Sequence, residues 1–169
     1  MIKQFIATAA IAVFGFASTA SAHHVPNQPF VQAESELLLE AVVETGHRVA
    51  VDAPICQKPG LLGAATSRRA LIICEQAHGG NLVELADTIR HEAIHLIQYC
   101  KGRNGGATIA TLYPEHAEDS VRYAVEVLHF GGQGYESHQI VREAEARALA
   151  HVWDETEIAD QLRRTCSID

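Results

Sequence analysis

Apolar positions recur along this chain with two periods, one typical of helices and one typical of strands. Over residues 32–45 they recur every three or four positions, which predicts a helix that Gly46 ends. Residues 47–51 and 70–74 are short apolar runs with β-branched side chains, which predicts two strands. Residues 54–69 contain proline and glycine, so we expect a loop or a hairpin there. The buried stripe of the first helix is predicted to contain Leu37, Leu38, Ala41 and Val42.

A second, longer helix is predicted over residues 82–101. The turn at residues 79–81 precedes it, with Asn81 placed to cap its first turn, and Gly102 is expected to end it. Its apolar residues recur at three and four positions, which indicates one buried face. That face is predicted to contain Leu82, Leu85, Ala86, Ile89, Ala93 and Leu96.

The rest of the chain is predicted to be mainly helical. After a glycine-rich loop at residues 102–108, Pro114 suits the first turn of a helix that runs to about residue 130. A further long helix is expected over residues 135–154, and a short terminal helix over residues 158–164. This order of elements predicts an α+β fold with a short β-sheet and a mainly helical C-terminal part.

The first 22 residues are expected to be a secretion signal and not part of the fold. Lys3 precedes an apolar run over residues 5–16, and residues 17–22 end in a small-x-small pattern typical of signal-peptidase sites. The apolar run is too short to span a bilayer comfortably, which argues against a membrane anchor. Cleavage after Ala22 would leave residues 23–169 as one domain, secreted or in the periplasm.

The charge of the chain limits the classes of partner. Its formal charge is −8 at pH 7, and loss of Lys3 with the signal makes it one unit more negative. Because nucleic acids and anionic membranes are themselves negative, an acidic chain is a poor candidate for binding either. After Ala22 no stretch is apolar for long enough to cross a membrane. We therefore expect a soluble mature protein with neither nucleic acid nor membrane as its partner.

The four cysteines of the chain predict two disulfides. An even number of cysteines in an exported chain is typical of disulfide pairing, and three pairings are possible. We favour Cys56 with Cys74, which closes the segment between them, and Cys100 with Cys166, which ties the C-terminus to the second helix. A zinc site made of cysteines is less favoured, because the chain has no C-x-x-C pair.

The most specific chemical motif is His91-Glu92-Ala93-Ile94-His95, within the second predicted helix. Residues four apart on a helix project from one face, so both histidines can bind one metal ion. Glu92 lies beside the first of them and is left to act as a general base. On a helical wheel the histidines lie roughly opposite the apolar stripe, so they face a cleft while the stripe faces the core. The chain has 10 histidines, which makes surface histidines the alternative interpretation.

This stretch resembles the active-site helix of the zincin metallopeptidases. The resemblance rests on residues 88–97, with the strand at residues 70–74 before them, and it implies a small zincin-like domain that binds one zinc ion. In zincins such a strand often lies at the edge of the sheet above the cleft and pairs with an extended substrate. The resemblance therefore suggests that role for residues 70–74.

A third metal ligand is expected, because catalytic zinc usually has three protein ligands and one open position. The third histidine of metzincins is absent, since Lys101 occupies its position. Residues 142–148 offer Glu143 and Glu145, which point about 200° apart on a helix. Glu143 lies opposite the predicted apolar stripe of this helix, which favours it as the ligand. Glu145 lies near the stripe, and if it is buried, the cost of an unpaired carboxylate counts in favour of Glu145.

The resemblance also favours Glu143. Gluzincins of the CAAX-endopeptidase type carry E-x-x-A-D after H-E-x-x-H, and the first glutamate of that motif binds zinc. The residues Glu143-Ala144-Glu145-Ala146 match this motif, but Arg147 stands where those relatives have an aspartate that supports the site. Only the motif is carried over, because those relatives are embedded in membranes.

Together these features predict a zinc-dependent metallopeptidase that cleaves a peptide or protein substrate. His91, His95 and Glu143 would hold one Zn²⁺ ion, and Glu92 would act as the general base. Two alternatives are a non-catalytic metal-binding protein of the cell envelope and a zincin-fold binding module without catalysis. Residues considered as donors to the developing oxyanion, none of them favoured, are Tyr113, His116, Tyr135 and His138.

Overall fold

The computed structural model of the chain describes residues 29–67, 69–104, 110–113, 129, 134 and 136–167. Within these ranges the fold is α+β, with four α-helices and one three-stranded mixed sheet, as the sequence predicts. The expected secretion signal at residues 1–22 lies outside the described residues. The same holds for nearly all of the helix expected over residues 114–130 and for most of the glycine-rich loop before it.

The order of the elements agrees with the predicted order. Along the chain they are α1 (Pro29–Glu44), β1 (Arg48–Val51), β2 (Gly63–Thr66), β3 (Ala70–Ile73), α2 (Leu82–Asn104), α3 (Ser137–Val152) and α4 (Glu155–Cys166). Short 3₁₀ turns follow β1 and β3, at Pro54–Gln57 and Glu75–His78. Asn81 caps α2 as predicted, because its side-chain oxygen accepts the backbone N–H of Glu84 at 3.3 Å.

The prediction that Gly102 ends the second helix is wrong, since α2 continues through it to Asn104. A glycine inside a helix costs about 1 kcal/mol relative to alanine, and tertiary contacts can offset a cost of that size. Here Gly102 is buried, and the neighbouring Cys100 is tied to α4 by a disulfide.

The sheet has the strand order β1-β3-β2. β1 pairs with β3 in parallel, and β2 pairs with β3 antiparallel as a hairpin. Residues 70–73 therefore form the central strand, and the expectation that residues 70–74 form the edge strand is wrong. The edge beside α2 is β2, within the segment expected to be loop or hairpin. The burial of Leu71, Ile72 and Ile73 on consecutive positions fits a central strand, which is covered on both faces.

The core forms around α2, which packs against α1, α3, α4 and the strands β2 and β3. The predicted face of α2 is buried from Leu85 onward, while Leu82 is only partly buried. On α1, Leu38, Ala41 and Val42 are buried as predicted. Leu37 is 42% exposed, and Leu39 takes its place in the core.

Two disulfides form in the predicted pairing, Cys56 with Cys74 and Cys100 with Cys166. The first holds the segment before β2 against the end of β3, and the second ties the end of α4 to α2. Disulfides persist in oxidising compartments, so this pairing indicates an extracellular or periplasmic environment. None of the helices in the described ranges combines the length and apolar character that a bilayer span requires.

Candidate metal site

Two antiparallel helices line one cleft, and each contributes a row of side chains along one face. The α2 residues that line it include Asp87, His91, His95 and Tyr99, and the α3 residues include Gln139, Glu143, Arg147 and His151. Within each set the residues are four apart, which is the spacing that puts side chains on one helix face. The cleft has a volume of about 880 Å³, and strand β2 forms its other wall.

Three of the predicted site residues meet in the middle of this cleft. The Nε2 atoms of His91 and His95 are 3.1 Å apart. The Oε2 atom of Glu143 lies 3.4 Å from Nε2 of His91 and 3.3 Å from Nε2 of His95. The three atoms thus form a nearly equilateral triangle, and helices α2 and α3 supply them from facing surfaces.

This triangle fits a zinc ion. Nitrogen and carboxylate ligands lie about 2.0–2.1 Å from zinc, and in a tetrahedron their mutual distances are therefore about 3.3–3.4 Å. The three measured distances are close to that value. The donor set of two imidazoles and one carboxylate is also one that catalytic zinc uses. Each residue offers one ligand atom to the same point, as a shared ion requires.

The electrostatics of the triangle favour a bound cation. Burial lowers the pKa of His95, but the hydrogen bond to Glu143 and the charges of Glu92 and Glu143 raise it to about 9. Burial likewise raises the pKa of Glu143, but hydrogen bonds from His91 and His95 hold it well below its usual range. Positive charge between these groups is therefore stabilised, whether a proton or a metal ion supplies it.

His95 is oriented by Gln98, which the sequence analysis did not single out as a functional residue. The Nε2 of Gln98 donates to Glu145 at 2.7 Å, so its Oε1 is the acceptor facing His95. The Nδ1–H of His95 therefore donates to that oxygen, also at 2.7 Å. This contact keeps a proton on Nδ1 of His95 and leaves its Nε2 directed at the centre of the triangle.

Glu145 is fully buried and does not join the triangle. Besides the amide of Gln98, its carboxylate accepts the backbone N–H groups of Leu112 and Tyr113, each at 2.8 Å. These hydrogen bonds offset the free-energy cost of burying the carboxylate. That cost was the reason for considering Glu145 as a metal ligand. Its contacts instead anchor Gln98 and residues 112–113 to α3.

Unlike His95, His91 has no supporting hydrogen bond from a described residue. Its Nδ1 atom is buried and has no hydrogen-bond partner among the described residues. Arg147, which stands where the resembling gluzincins have an aspartate, makes an ion pair with Asp87 at 3.4 Å. Asp87 lies one turn before His91 and also contacts Arg90 at 3.4 Å. No described residue therefore takes over, at Nδ1 of His91, the supporting role that the aspartate has in those gluzincins.

Glu92 faces the edge strand and is not part of the triangle. Its Oε2 atom accepts the backbone N–H of Ala65 in β2 at 2.7 Å. The backbone of β2 approaches closely here because Gly63 has no side chain. A Cβ atom at that position would lie 2.7 Å from Cγ2 of Thr88 and 3.0 Å from Cγ of Glu92. Residues 63–66 lie in the segment expected to be a loop or a hairpin, and their small side chains lack the usual strand pattern.

The residues considered as oxyanion donors are not brought to the site by the described part of the chain. Tyr113 packs edge-to-face against Trp153, with ring centroids 5.8 Å apart, and it does not line the cleft. His116 and Tyr135 lie outside the described residues, as does the side chain of His138.

Comparison with protein-family models, curated proteins and solved structures finds no match to this chain.

Proposed function

We propose that this protein is a zinc-dependent metallopeptidase of zincin type. One observation carries the proposal: Nε2 of His91, Nε2 of His95 and Oε2 of Glu143 lie 3.1–3.4 Å from one another at the base of a cleft. This spacing suits three ligands of one zinc ion, and the cleft leaves room for a substrate above them.

The three side chains would hold the zinc ion in distinct ways. His95 is fixed by Gln98, and Glu143 adds the negative charge that two neutral imidazoles lack. Zinc bound there would lower the pKa of a coordinated water and polarise the carbonyl group of a substrate. Three protein ligands would leave the fourth position of a tetrahedral site open, which is the feature that separates catalytic zinc from structural zinc.

Glu92 would act as the general base of the reaction. It takes a proton from the attacking water and delivers it to the amine that leaves. The N–H of Ala65 holds its carboxylate beside the cleft, so this group is oriented before a substrate binds.

Strand β2 would align the substrate. Leu62 O accepts the N–H of Cys74 in the hairpin, and pairing alternates along an antiparallel strand. The backbone groups of Gly63 and Ala65 therefore point away from β3 and toward the cleft. The N–H of Ala65 is already bonded to Glu92, so an extended peptide could pair with the remaining groups of this edge, the N–H and C=O of Gly63 and the C=O of Ala65, as strands added to open sheet edges do. Pairing with the substrate, the role suggested for residues 70–74, is therefore assigned to residues 63–66.

We further propose that the enzyme is exported, with residues 1–22 as the signal that directs it. The two disulfides support an oxidising compartment. The acidic chain, with a formal charge of −8, fits a soluble enzyme with a peptide or protein substrate better than a binder of nucleic acid.

Hydrolysis of a mixture of unrelated peptides by the zinc-loaded protein, followed by mass spectrometry, tests the proposal. Glu92→Gln should lower the rate by about 10²- to 10⁴-fold, the range for loss of a general base, and should retain one zinc ion. Glu40→Gln, an exposed substitution on α1 with the same change of charge, is the matched control and should keep full activity.

Native mass spectrometry separates the proposal from its alternatives. One tight zinc ion that His95→Ala abolishes supports the peptidase. Several weakly bound ions, retained in His95→Ala, would instead indicate an envelope metal-binding protein. One tight ion with no cleavage of any peptide would indicate a binding module. A Glu92→Gln variant as active as the wild type would overturn the proposed mechanism.

A further inference from the structure

One end of the cleft carries three side chains that are able to donate hydrogen bonds. Tyr99 lies one helical turn beyond His95 on α2, and Gln139 lies one turn before Glu143 on α3. Because the two helices are antiparallel, these residues are at the same end of the metal triangle. Arg142 is on α3 between Gln139 and Glu143 and also lines the cleft. We refer to Tyr99, Gln139 and Arg142 as the donor subsite.

Two of the three side chains of the donor subsite, Arg142 and Tyr99, have no polar partner among the described residues. The guanidinium of Arg142 makes no ion pair with any described residue, and the hydroxyl of Tyr99 makes no hydrogen bond with one. Oε1 of Gln139 accepts the backbone N–H of Glu136 at 3.0 Å, as part of the cap of α3. The amide end that remains for the cleft is therefore the NH₂ group, which is a donor.

The opposite end of the cleft is different, because its charges are already paired. Asp87 lies 3.4 Å from Arg147 and 3.4 Å from Arg90. Glu84, which also lines the cleft, lies 3.3 Å from Nδ1 of His78. Of the described arginines that line the cleft, Arg90 and Arg147 are ion-paired and Arg142 is not, and Arg142 lies beside Tyr99 and Gln139 in a protein whose formal charge is −8.

We infer that the donor subsite binds a carboxylate group of the substrate. A guanidinium can bind a carboxylate with two parallel hydrogen bonds, and neutral donors complete the coordination of its oxygens. One helical turn is about 5.4 Å, and one extended residue spans about 3.3–3.6 Å. The carboxylate therefore belongs within about two residues of the bond that is cleaved. This inference rests on the proposed function and names its substrate class: peptides with an acidic side chain or a free C-terminus at that distance.

Binding measurements with the inactive zinc-loaded Glu92→Gln protein test the inference without catalysis. Four fluorescein-labelled alanine pentapeptides serve as probes: one with a free C-terminus, one amidated, and two amidated with a central aspartate or asparagine. Fluorescence anisotropy should show at least about tenfold tighter binding of one carboxylate peptide than of its amide counterpart, the gain expected for a hydrogen bond to a charged group. Which of the two carboxylates gives the gain identifies a C-terminal or a side-chain group.

Substitutions test whether the tighter binding of the carboxylate peptide depends on the donor subsite. Arg142→Gln should remove this gain, Arg142→Lys should keep part of it, and Tyr99→Phe should reduce it, while binding of the amidated alanine peptide stays constant. Arg48→Gln is the control, because Arg48 is exposed on β1, outside the cleft, and the change of charge is the same. Equal binding of carboxylate and amide peptides, or a loss in Arg142→Gln that also affects the amidated peptide, would overturn the inference. A carboxylate preference in a protein that cleaves nothing would support the subsite and refute the proposed peptidase.

Discussion

Ala65 and Glu92 are joined by a hydrogen bond of 2.7 Å, from the backbone N–H of the edge strand to the carboxylate of the candidate general base. Strand β2 can approach α2 this closely because position 63 is a glycine. The contact connects two features that are separate in the sequence, a glycine-containing hairpin and the H-E-x-x-H helix. Substitutions at Gly63 should therefore affect both stability and catalysis.

Gly63→Ala should displace β2 from α2. The new Cβ would lie 2.7 Å from Cγ2 of Thr88 and 3.1 Å from the carbonyl oxygen of Ile72, which are contacts that require a shift. Overpacking of this kind costs about 1–3 kcal/mol, which urea unfolding would measure. Peptide hydrolysis should fall with it, because the N–H of Ala65 then no longer holds Glu92.

Thr88→Ser provides the matched test, since it removes only the Cγ2 atom that the new Cβ would meet. The double variant Gly63→Ala/Thr88→Ser should regain part of the lost stability and activity. A double variant as impaired as the sum of its two single variants would show that crowding at Thr88 is not the cause.

Glu143→Gln and Glu145→Gln should have separable effects, although the two residues are only two positions apart. Glu143→Gln removes the charge of the proposed zinc ligand. It should weaken zinc binding at least about tenfold, as measured by competition with a chelator, with little change in unfolding of the zinc-free protein. Glu145→Gln keeps the triangle but replaces an acceptor of buried N–H groups by an amide. It should lower the free energy of unfolding by about 1–3 kcal/mol. The reverse pattern would make Glu145 the ligand.

Gln98→Leu should weaken zinc binding without removing a ligand. The Nδ1–H of His95 loses its acceptor, so the tautomer and the ring orientation are no longer fixed. Loss of such a supporting contact typically costs about 10- to 100-fold in metal affinity. A competition titration would measure it, with Gln161→Leu on α4 as the control for a glutamine replaced away from the site. Equal zinc affinity in Gln98→Leu and the wild type would show that Gln98 has no such role.

The sequence sufficed for the parts of the site that depend on one helix. The period of α2 separates an apolar face from a histidine face, and the wheel of α3 separates Glu143 from Glu145. The contacts of Gln98 and the role of β2 depend on tertiary packing. Nothing near Gln98 indicates a carboxylate from α3. The run Gly-Ala-Ala-Thr has a low strand propensity. It forms a strand because it pairs with β3 and contacts α2.

The difference between local sequence preference and tertiary packing also explains which helix end and which buried residue were predicted wrongly. Gly102 is a typical helix terminator by local preference, but it is buried inside α2 next to a disulfide. Leu37 and Leu39 fit the apolar pattern of α1 almost equally, and the neighbouring elements determine which of them is buried. Local sequence thus predicted the kinds of element, while tertiary packing determined the ends.

The two disulfides should contribute unequally to stability. Their cysteines are 66 residues apart for Cys100–Cys166 and 18 for Cys56–Cys74. In the chain-entropy account, closing loops of these lengths stabilises the fold by about 4 and about 3 kcal/mol. Urea unfolding of the two double serine variants would compare them, and we expect the larger loss for Cys100→Ser/Cys166→Ser. A larger loss for the shorter loop would show that local strain or packing outweighs loop entropy.

Buried His47 should make the stability of the fold depend on pH. Burial, followed by the charges of Arg103 and Arg69, lowers the pKa of His47 from the ordinary 6.5 to about 4. Between these values the unfolded chain binds a proton that the folded protein excludes. The free energy of unfolding should therefore be highest above pH 6.5, fall by about 3 kcal/mol as the pH drops toward 4, and receive little further loss from this group below that.

His47→Gln isolates this effect, because glutamine is polar and does not titrate. Urea unfolding of both proteins with a chelator present should give a shallower fall between pH 7 and pH 4.5 for the variant. The chelator removes metal binding as a source of pH dependence, and carboxylates such as Glu143 contribute equally to both proteins. Curves that stay parallel across this range would show that His47 is protonated equally in the folded and unfolded chain.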